Sequence, residues 1–449
     1  MIPGIPGILK ANRGNNIMYT TVENKKIDEK YYYFKHESGL DIYIVPKNHT
    51  SSYAMFATKY GSVDNIFRLE GEREFTRAPD GIAHFLEHKL FENEDGVDTF
   101  KKYAETGASA NAYTSFDKTC YLFSCADNGE NFDKSLEILL DFVTHPYFTE
   151  QTVQKEQGII GQEIKMYEDN PGWQVYFQML EKMYKKHSVR LDIAGTIESI
   201  ADVTADILYK CYNTFYNLSN MALCISGSVT PEQVKKTADK ILKKAELAAP
   251  VKIERFDYEE PEGVLKSITE KKLKVSRPLF NIGLKDCETG LDGNQLTKKS
   301  AELSIINDML FGKSSDFYTR LYNAGKINNS FGAGHQLQPD YGYMVYGGES
   351  DNPREIMDEV IREFETKLKT GLDREDFERC KRVHYAGSIT LFDNTGNIAN
   401  SFVDYLFTGC DLLDVPEIIA GVTFEDAENR LRKLFNRENF IISIVNPLD

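Results

Sequence analysis

An internal repeat is the feature of this 449-residue chain that most limits what it can fold into. The segment Phe148–Glu156 (FTEQTVQKE) aligns with Leu372–Cys380 (LDREDFERC), and each begins a long helical pattern after an amphipathic one. Near the end of each half, an Asn-containing turn leads into an apolar run, at Asn220–Val229 and again at Asn439–Leu448. The period of roughly 220 residues is too long for a solenoid unit, and therefore indicates a duplicated domain.

The local patterns predict that each repeat mixes strands and helices. Residues 31–46 and 108–126 are rich in β-branched and aromatic residues and predict hairpins, the first with Gly39 at its turn. Helical spacing follows from Gly81 to Glu92, and helices dominate from Asn128 to about Thr214. We predict an α+β fold of two homologous domains, each a mostly antiparallel β-sheet covered by α-helices.

The domain boundaries follow from where the periodic patterns stop. We predict a first domain over residues 1–245, a linker over 246–272, where the sequence is charged and carries two prolines, and a repeat domain over 273–449. Within the first domain, residues 1–17 are interrupted by prolines and glycines, and we predict a disordered arm there.

Composition narrows the partners and the compartment. With 53 Lys+Arg against 69 Asp+Glu the formal net charge is −16, which disfavours nucleic acid and anionic membrane surfaces as partners. The longest apolar runs fall well short of the ~20 residues that span a bilayer. Seven scattered cysteines with no C-x-x-C pair fit free thiols in a reducing cytoplasm better than a disulfide framework.

Residues 84–88 read His-Phe-Leu-Glu-His, in a segment with helical periodicity. Histidines at i and i+4 lie on one helix face, within reach of one metal ion. Glu87 lies about 60° around the helix from His84, where it could reach a metal-bound water without being a ligand. A catalytic zinc needs three protein ligands and an open position, so we expect a third ligand on another helix.

Residues 149–168 supply the candidates. Glu156 and Glu163 share the apolar, inward arc of this helix, and a buried carboxylate needs a cation or strong donors. Capping of a strand or pairing with an arginine would also satisfy them, but the histidine motif makes a metal the favoured partner.

The run GIAHFLEHKLFE resembles the pitrilysin/insulinase-type zinc peptidases, in which His-x-x-Glu-His reverses the order of thermolysin's motif. That family's third ligand is a Glu about 75 residues downstream, in a helix written Glu-x6-Glu, which matches Glu163 and Glu156 here. The resemblance implies a half-clamshell fold, one zinc per chain held by His84, His88 and Glu163, Glu87 as general base, and Glu156 as a supporting acid.

The resemblance also extends to substrate binding. GASANAYTS is similar to the family's substrate-binding edge strand, so Asn111 and Tyr113 are implied as substrate-binding residues; an ordinary hairpin asparagine is the alternative for Asn111. The stretch from Gly81 to IAGTIES is close to a Gram-positive bacterial branch whose members occur as paired half-size proteins.

The second repeat departs from the zinc pattern. Alignment places Ser304, Asn307 and Asp308 where the first repeat has its two histidines and Glu87. The family's second domain normally carries an Arg and, seven residues later, a Tyr that hold the substrate carbonyl, and Tyr322 and Asn329 stand at those positions here. A heterodimer with a homologous subunit carrying the Arg/Tyr pair is therefore expected, with a homodimer as the alternative.

Two functions follow as expectations. The first is a zinc metallopeptidase that hydrolyses unstructured peptides or small proteins with a water activated by Glu87. The second is a catalytically weak or silent subunit that serves a processing complex, or acts as a peptide-binding or assembly factor.

Overall fold

The computed structural model describes residues 10–14, 17–126, 129–242 and 252–448. The first half contains strands β1 (Lys10–Gly14), β2 (Ile17–Asn24), β3 (Glu29–Lys35), β4 (Asp41–Pro46), β5 (Ser51–Thr58), β6 (Ile66–Leu69), β7 (Thr76–Arg77), β8 (Ser109–Thr114), β9 (Thr119–Ala126) and β10 (Met221–Gly227). The second half contains strands β11 (Ile253–Arg255), β12 (Ile268–Leu273), β13 (Leu279–Asp286), β14 (Gly332–Leu337), β15 (Gly342–Glu349) and β16 (Phe440–Pro447).

Helices separate and cover these strands. Those of the first half are α1 (Ile82–Leu90), α2 (Thr99–Thr106), α3 (Glu130–Thr144), α4 (Glu150–Glu168), α5 (Pro171–Met183), α6 (Ile197–Ala201), α7 (Ala205–Phe215) and α8 (Pro231–Leu242). Those of the second half are α9 (Gly293–Phe311), α10 (Asp316–Asn323), α11 (Pro353–Thr370), α12 (Arg374–Thr390), α13 (Thr395–Thr408), α14 (Val415–Gly421) and α15 (Phe424–Leu434). Among the described helices, none combines the length and hydrophobicity needed to cross a membrane.

The predicted repeat is visible in the strand order of the two larger sheets. The eight-stranded sheet runs β1-β2-β3-β4-β10-β5-β9-β8, and the five-stranded sheet runs β12-β16-β13-β15-β14. In the larger sheet, β10 is parallel to β4 and antiparallel to β5. In the five-stranded sheet, β16 is likewise parallel to β12 and antiparallel to β13. The α+β prediction of two homologous, mostly antiparallel and helix-covered sheets is confirmed.

Residue contacts divide the chain into two units that are not continuous in sequence. One unit contains the residues up to Ile164 together with Asp192–Asp257 and Leu391–Phe407, and the other contains Lys165–Leu191, Tyr258–Thr390 and Thr408–Asp449. Each unit therefore includes a helix from the other half of the chain, whereas the sequence predicted two linear domains. The boundaries 1–245, 246–272 and 273–449 stay a prediction.

These two helices pack closely within the units that receive them. In the unit of the five-stranded sheet, α5 lies on β13 and β16. Gly283 of β13 allows this approach, because a Cβ there would stand 2.2 Å from a side-chain atom of Met183. In the other unit, the ring of Phe402 on α13 packs on Tyr31 and Tyr43, with ring centroids 5.0 and 4.9 Å away.

Two segments predicted to lack structure contain strands. β12 lies in the predicted linker but pairs in parallel with β16 as the edge strand of its sheet, and β11 pairs with β6. The charge-rich β12 resembles a linker because exposed edge strands commonly carry charged side chains. In the predicted disordered arm, β1 pairs with β2 instead; residues 1–9, 15 and 16 lie outside the described part.

Candidate metal centre

The beginning of α1 is fixed by two glycines whose backbones lie close together. Gly81 precedes the helix with φ 88°, and a Cβ on it would stand 2.4 Å from the carbonyl oxygen of Ala194. Gly195 has φ 74°, and its Cβ would stand 2.4 Å from the carbonyl oxygen of Asp80. The Ser199 hydroxyl donates a hydrogen bond to the same Asp80 oxygen at 2.8 Å. Only glycine fits these positions without strain.

This placement brings the two histidines of α1 onto one face. The apolar residues of α1 are buried in the core, including Phe85 and Leu86, which are fully buried. His84 and His88 lie one turn apart with ring centroids 4.6 Å from each other. The i, i+4 spacing predicted this arrangement.

Glu163 of α4 meets both rings. Its Oε2 lies 3.4 Å from Nε2 of His88 and 3.7 Å from Nε2 of His84. Ligands bonded to a tetrahedral zinc at about 2.1 Å stand roughly 3.4 Å apart. Ligand atoms of these three residues all lie within 4.8 Å of one another, so two imidazoles and a carboxylate form a donor set that fits zinc.

Glu156, seven residues before Glu163 on α4, supports the site. This carboxylate is buried, and its Oε1 lies 3.0 Å from Nδ1 of His88. A carboxylate on the far nitrogen of a histidine fixes the ring orientation and leaves Nε2 to bind a metal. The sequence left open an arginine partner or a strand cap for Glu156, and in the structure its partner is His88.

Glu87 points into the same region without belonging to the donor set. It is 9% exposed, and its Oε2 accepts a hydrogen bond from the Thr114 hydroxyl at 2.7 Å. Burial raises the pKa of Glu87, and the Thr114 hydrogen bond partly opposes that rise. Sequence reasoning missed Thr114, whose side chain reaches Glu87 because β8 packs against α1.

The two histidines differ in their pKa values. Burial, assisted by the neighbouring His88, lowers the pKa of His84 to about 4. Burial would also lower the pKa of His88, but hydrogen bonds to Glu156 and Glu163 outweigh it and raise that pKa to about 10. His84 is therefore neutral near pH 7, the form in which a histidine binds metal, whereas a metal ion that binds His88 must displace its proton.

A cleft of ≈ 680 Å³ adjoins the donor set. Glu87, His88 and Glu156 are among the residues that line it, and so are Phe91 and Phe100, whose rings stack with centroids 4.7 Å apart. A concave site with apolar walls and a few converging polar groups is typical of a substrate pocket. No signal in the sequence marked Phe91 or Phe100 as cleft residues.

The predicted substrate residues lie on β8, the edge strand of the larger sheet. Asn111 is exposed and lines the cleft together with Ala112. Tyr113 is not among the described residues that line it, and its hydroxyl donates to Asn400 of α13 at 3.1 Å.

The second repeat has no equivalent donor set within its described residues. Ser304, Asn307 and Asp308 lie on α9, as the alignment predicted. Tyr322, at the end of α10, is 49% exposed, and Asn329 is also exposed, before β14.

A second group of possible ligands, His36, Glu37 and Asp239, occurs in the unit that holds the donor set. There Lys235 donates to both Asp239 oxygens, at 2.7 and 2.8 Å. An ammonium group already beside this carboxylate would repel a metal ion, so the group resembles a salt-bridged histidine more than a metal site.

Comparison with known families agrees with this geometry. Residues 70–197 match the profile described as "Insulinase (Peptidase family M16)", and residues 202–383 match "Peptidase M16 inactive domain". The first match spans the donor set, and the second lies mostly in the repeat without it.

Individual relatives are also peptidases or peptidase subunits by name. The chain is 40% identical over 433 residues to "Uncharacterized zinc protease YmfH" of Bacillus subtilis (strain 168), covering 96% of this chain and 100% of the relative. An M16-like peptidase from Alicyclobacillus acidocaldarius has a crystal structure that superposes with a TM-score of 0.90 at 34% identity, covering 95% and 100% of the two chains. The mitochondrial-processing peptidase subunit beta of Neurospora crassa is 24% identical, covering 84% of this chain and 82% of that subunit.

The chain belongs to the M16 (insulinase) peptidase family. The predicted resemblance to pitrilysin/insulinase-type peptidases is therefore confirmed, and a relative that covers 96% of the chain is named a zinc protease.

Proposed function

We propose that this chain is a zinc-dependent metalloendopeptidase that hydrolyses peptide bonds in unstructured peptides or small proteins. His84, His88 and Glu163 hold one zinc ion per chain, Glu87 is the general base, and Glu156 orients His88. The observation that carries the proposal is the convergence of two Nε2 atoms on one carboxylate oxygen, at 3.4 and 3.7 Å, beside a cleft that His88 and Glu87 line.

The chain's own groups have defined tasks in this reaction. Zinc, when bound, supplies a Lewis acid that activates water and polarises the scissile carbonyl. Glu87 accepts the proton of the attacking water and delivers a proton to the leaving amine. Thr114 holds the Glu87 carboxylate by its hydrogen bond at 2.7 Å, which fixes the orientation in which the proton is received.

Peptide binding uses the edge strand. An extended peptide adds to β8 through main-chain hydrogen bonds, with Asn111 beside the scissile bond and Tyr113 contributing its main chain. The support for this is that β8 ends the sheet order and that Asn111 and Ala112 line the cleft. Such binding requires an unfolded stretch of substrate, which accounts for the substrate class.

The assembly we propose is a heterodimer with a homologous subunit that carries the missing Arg/Tyr pair; a homodimer is the alternative. The support is that Tyr322 and Asn329 stand at those positions and that one relative is named as a subunit of a processing peptidase.

Membranes and nucleic acid are not proposed as partners, given a net charge of −16. Seven free cysteines, six of them buried, support a reducing cytoplasmic location.

The presence of Tyr322 and Asn329 at the Arg/Tyr positions also favours a second candidate, a catalytically weak or silent subunit of a processing or peptide-binding complex. A chain that lacks the Arg/Tyr pair would then need its partner for full turnover.

Removal and return of the metal tests the first candidate. We expect a chelator to abolish cleavage of a quenched-fluorescent peptide library, and one equivalent of Zn²⁺ per chain to restore it, whereas Mg²⁺ does not. Cleavage that continues after chelation would refute the zinc mechanism. Full turnover by the purified monomer would refute the requirement for a partner, and a zinc-loaded complex that cleaves nothing would favour the silent subunit.

A further inference from the structure

The free edge of β8 is useful for peptide binding only if the strand is held still. On one side β8 pairs with β9 in an antiparallel register that sets Asn111 opposite Leu122 and Tyr113 opposite Cys120. The other side ends the sheet. Edge strands have only one neighbouring strand to hold them, so other contacts must restrain β8.

Two side chains of β8 make hydrogen bonds that leave the sheet in different directions. Thr114 donates to Glu87 of α1 at 2.7 Å. Tyr113 donates to Oδ1 of Asn400, on α13, at 3.1 Å. The contact with Asn400 joins residues 287 positions apart in sequence.

Asn400 is itself held in place by further hydrogen bonds. Its Nδ2 donates to the Gly396 carbonyl one turn earlier at 2.8 Å and to the Tyr53 hydroxyl of β5 at 3.3 Å. The amide therefore uses its donors within α13 and on β5 while its oxygen accepts from Tyr113, so its orientation is set.

A second contact holds the turn that follows β8. Lys118, which is buried, forms an ion pair with Asp404 of α13 at 2.9 Å. Phe402, two residues before Asp404, packs the same helix on the rings of Tyr31 and Tyr43. α13 is thus attached both to the interior strands of the sheet and to the β8–β9 hairpin.

We infer that α13 positions the substrate-binding strand, and that Asn400 is a positioning residue which acts through Tyr113. The inference rests on the proposed function, because it assigns the edge strand to peptide binding. Neither side chain needs to touch the substrate: the Tyr113–Asn400 hydrogen bond keeps the free edge of β8 straight, so less ordering remains to be done when a peptide pairs with it.

Three variants test this contact in the full-length, zinc-loaded protein. Asn400→Ala and Tyr113→Phe each remove the hydrogen bond, and the second keeps the ring and its packing. We expect amide hydrogen exchange in residues 109–114 to accelerate about tenfold in both, the effect of one lost hydrogen bond. We also expect KM for a long peptide to rise about tenfold while kcat stays within about twofold, since the reacting groups are untouched. Asn397→Ala, an exposed asparagine on the same helix, is the matched control and should change neither quantity.

The double variant separates positioning from general damage. Asn400→Ala and Tyr113→Phe both remove the same hydrogen bond, the one between Tyr113 and Asn400. The double variant should therefore show the same exchange in β8 and the same KM as either single variant. Unchanged exchange in β8, additive effects, or faster exchange without a rise in KM would each overturn the inference. If the wild-type protein with zinc cleaves no peptide, the proposed function fails, and the exchange data still decide whether Asn400 restrains β8.

Discussion

At the scale of single residues, the metal centre depends on backbone positions outside the donor set. His84 and His88 are aimed by the start of α1, and that start is set where Gly81 and Gly195 face each other's neighbouring carbonyls at distances that leave no room for a side chain. Both glycines have positive φ, which other residues rarely adopt. A methyl group at either position would push α1 away from the loop, and the histidines with it.

Gly195→Ala tests this dependence. We expect the free energy of unfolding to fall by about 2–4 kcal/mol, from overpacking and strain at positive φ together, and zinc affinity to fall as well. Gly158→Ala is the matched control, because no atom lies within 4 Å of the added Cβ in the exposed middle of α4. The control should gain about 0.5–1 kcal/mol. Urea unfolding and zinc titration measure both, and an equally stable, zinc-tight Gly195→Ala would contradict this role of the loop.

At the scale of elements, one carboxylate holds the chain where it leaves α5. Glu260 accepts hydrogen bonds from the backbone N–H groups of Lys185, Lys186 and His187, at 2.9, 2.7 and 2.8 Å, and from Lys285 Nζ at 2.7 Å. Burial alone would raise the pKa of Glu260, but these donors outweigh it and hold the pKa below its usual value. The carboxylate therefore stabilises the fold in its ionised form.

Glu260→Gln should lower the free energy of unfolding by about 2 kcal/mol at pH 7, because the amide offers one acceptor and adds donors facing donors. Since the folded pKa lies below the unfolded one, the stabilisation is complete above about pH 5 and is lost as the pH falls through the folded pKa. The gap between wild type and variant should therefore shrink below pH 4. Urea unfolding of the metal-free protein from pH 7 to pH 3 measures it, with the exposed Glu262→Gln as control. A gap that is absent, or constant with pH, would contradict this account.

The elements also show what could be predicted from the sequence. The helices of the metal centre and both hairpins were predictable, because their signals are local: the i, i+4 histidines, the seven-residue spacing of Glu156 and Glu163, and a glycine at the turn. The hydrogen bonds of Thr114 to Glu87 and of Tyr113 to Asn400 were not predictable, because they depend on strand pairing and on a helix 287 residues away. The strand β12 was not predicted, because its exposed, charged side chains give no sign of the backbone pairing that defines it.

At the scale of the whole molecule, a duplicated fold carries the candidate metal centre in its first repeat only, among the described residues. The order of the five-stranded sheet corresponds to β4-β10-β5-β9-β8 of the larger sheet, yet only the first repeat presents two histidines and a carboxylate to one point among the described residues. The second repeat keeps the architecture and contributes α13 to the unit of the larger sheet.

In the mechanism proposed here, Glu87 performs chemistry beside a zinc ion that it does not bind. The most direct measurement compares zinc content and peptide cleavage in wild type and Glu87→Gln, with the exposed Glu105→Gln as control. We predict one zinc per chain in all three proteins, cleavage reduced by about 10²–10⁴ in Glu87→Gln, and wild-type cleavage in the control. A zinc-loaded Glu87→Gln that cleaves peptides as fast as the wild type would contradict the account.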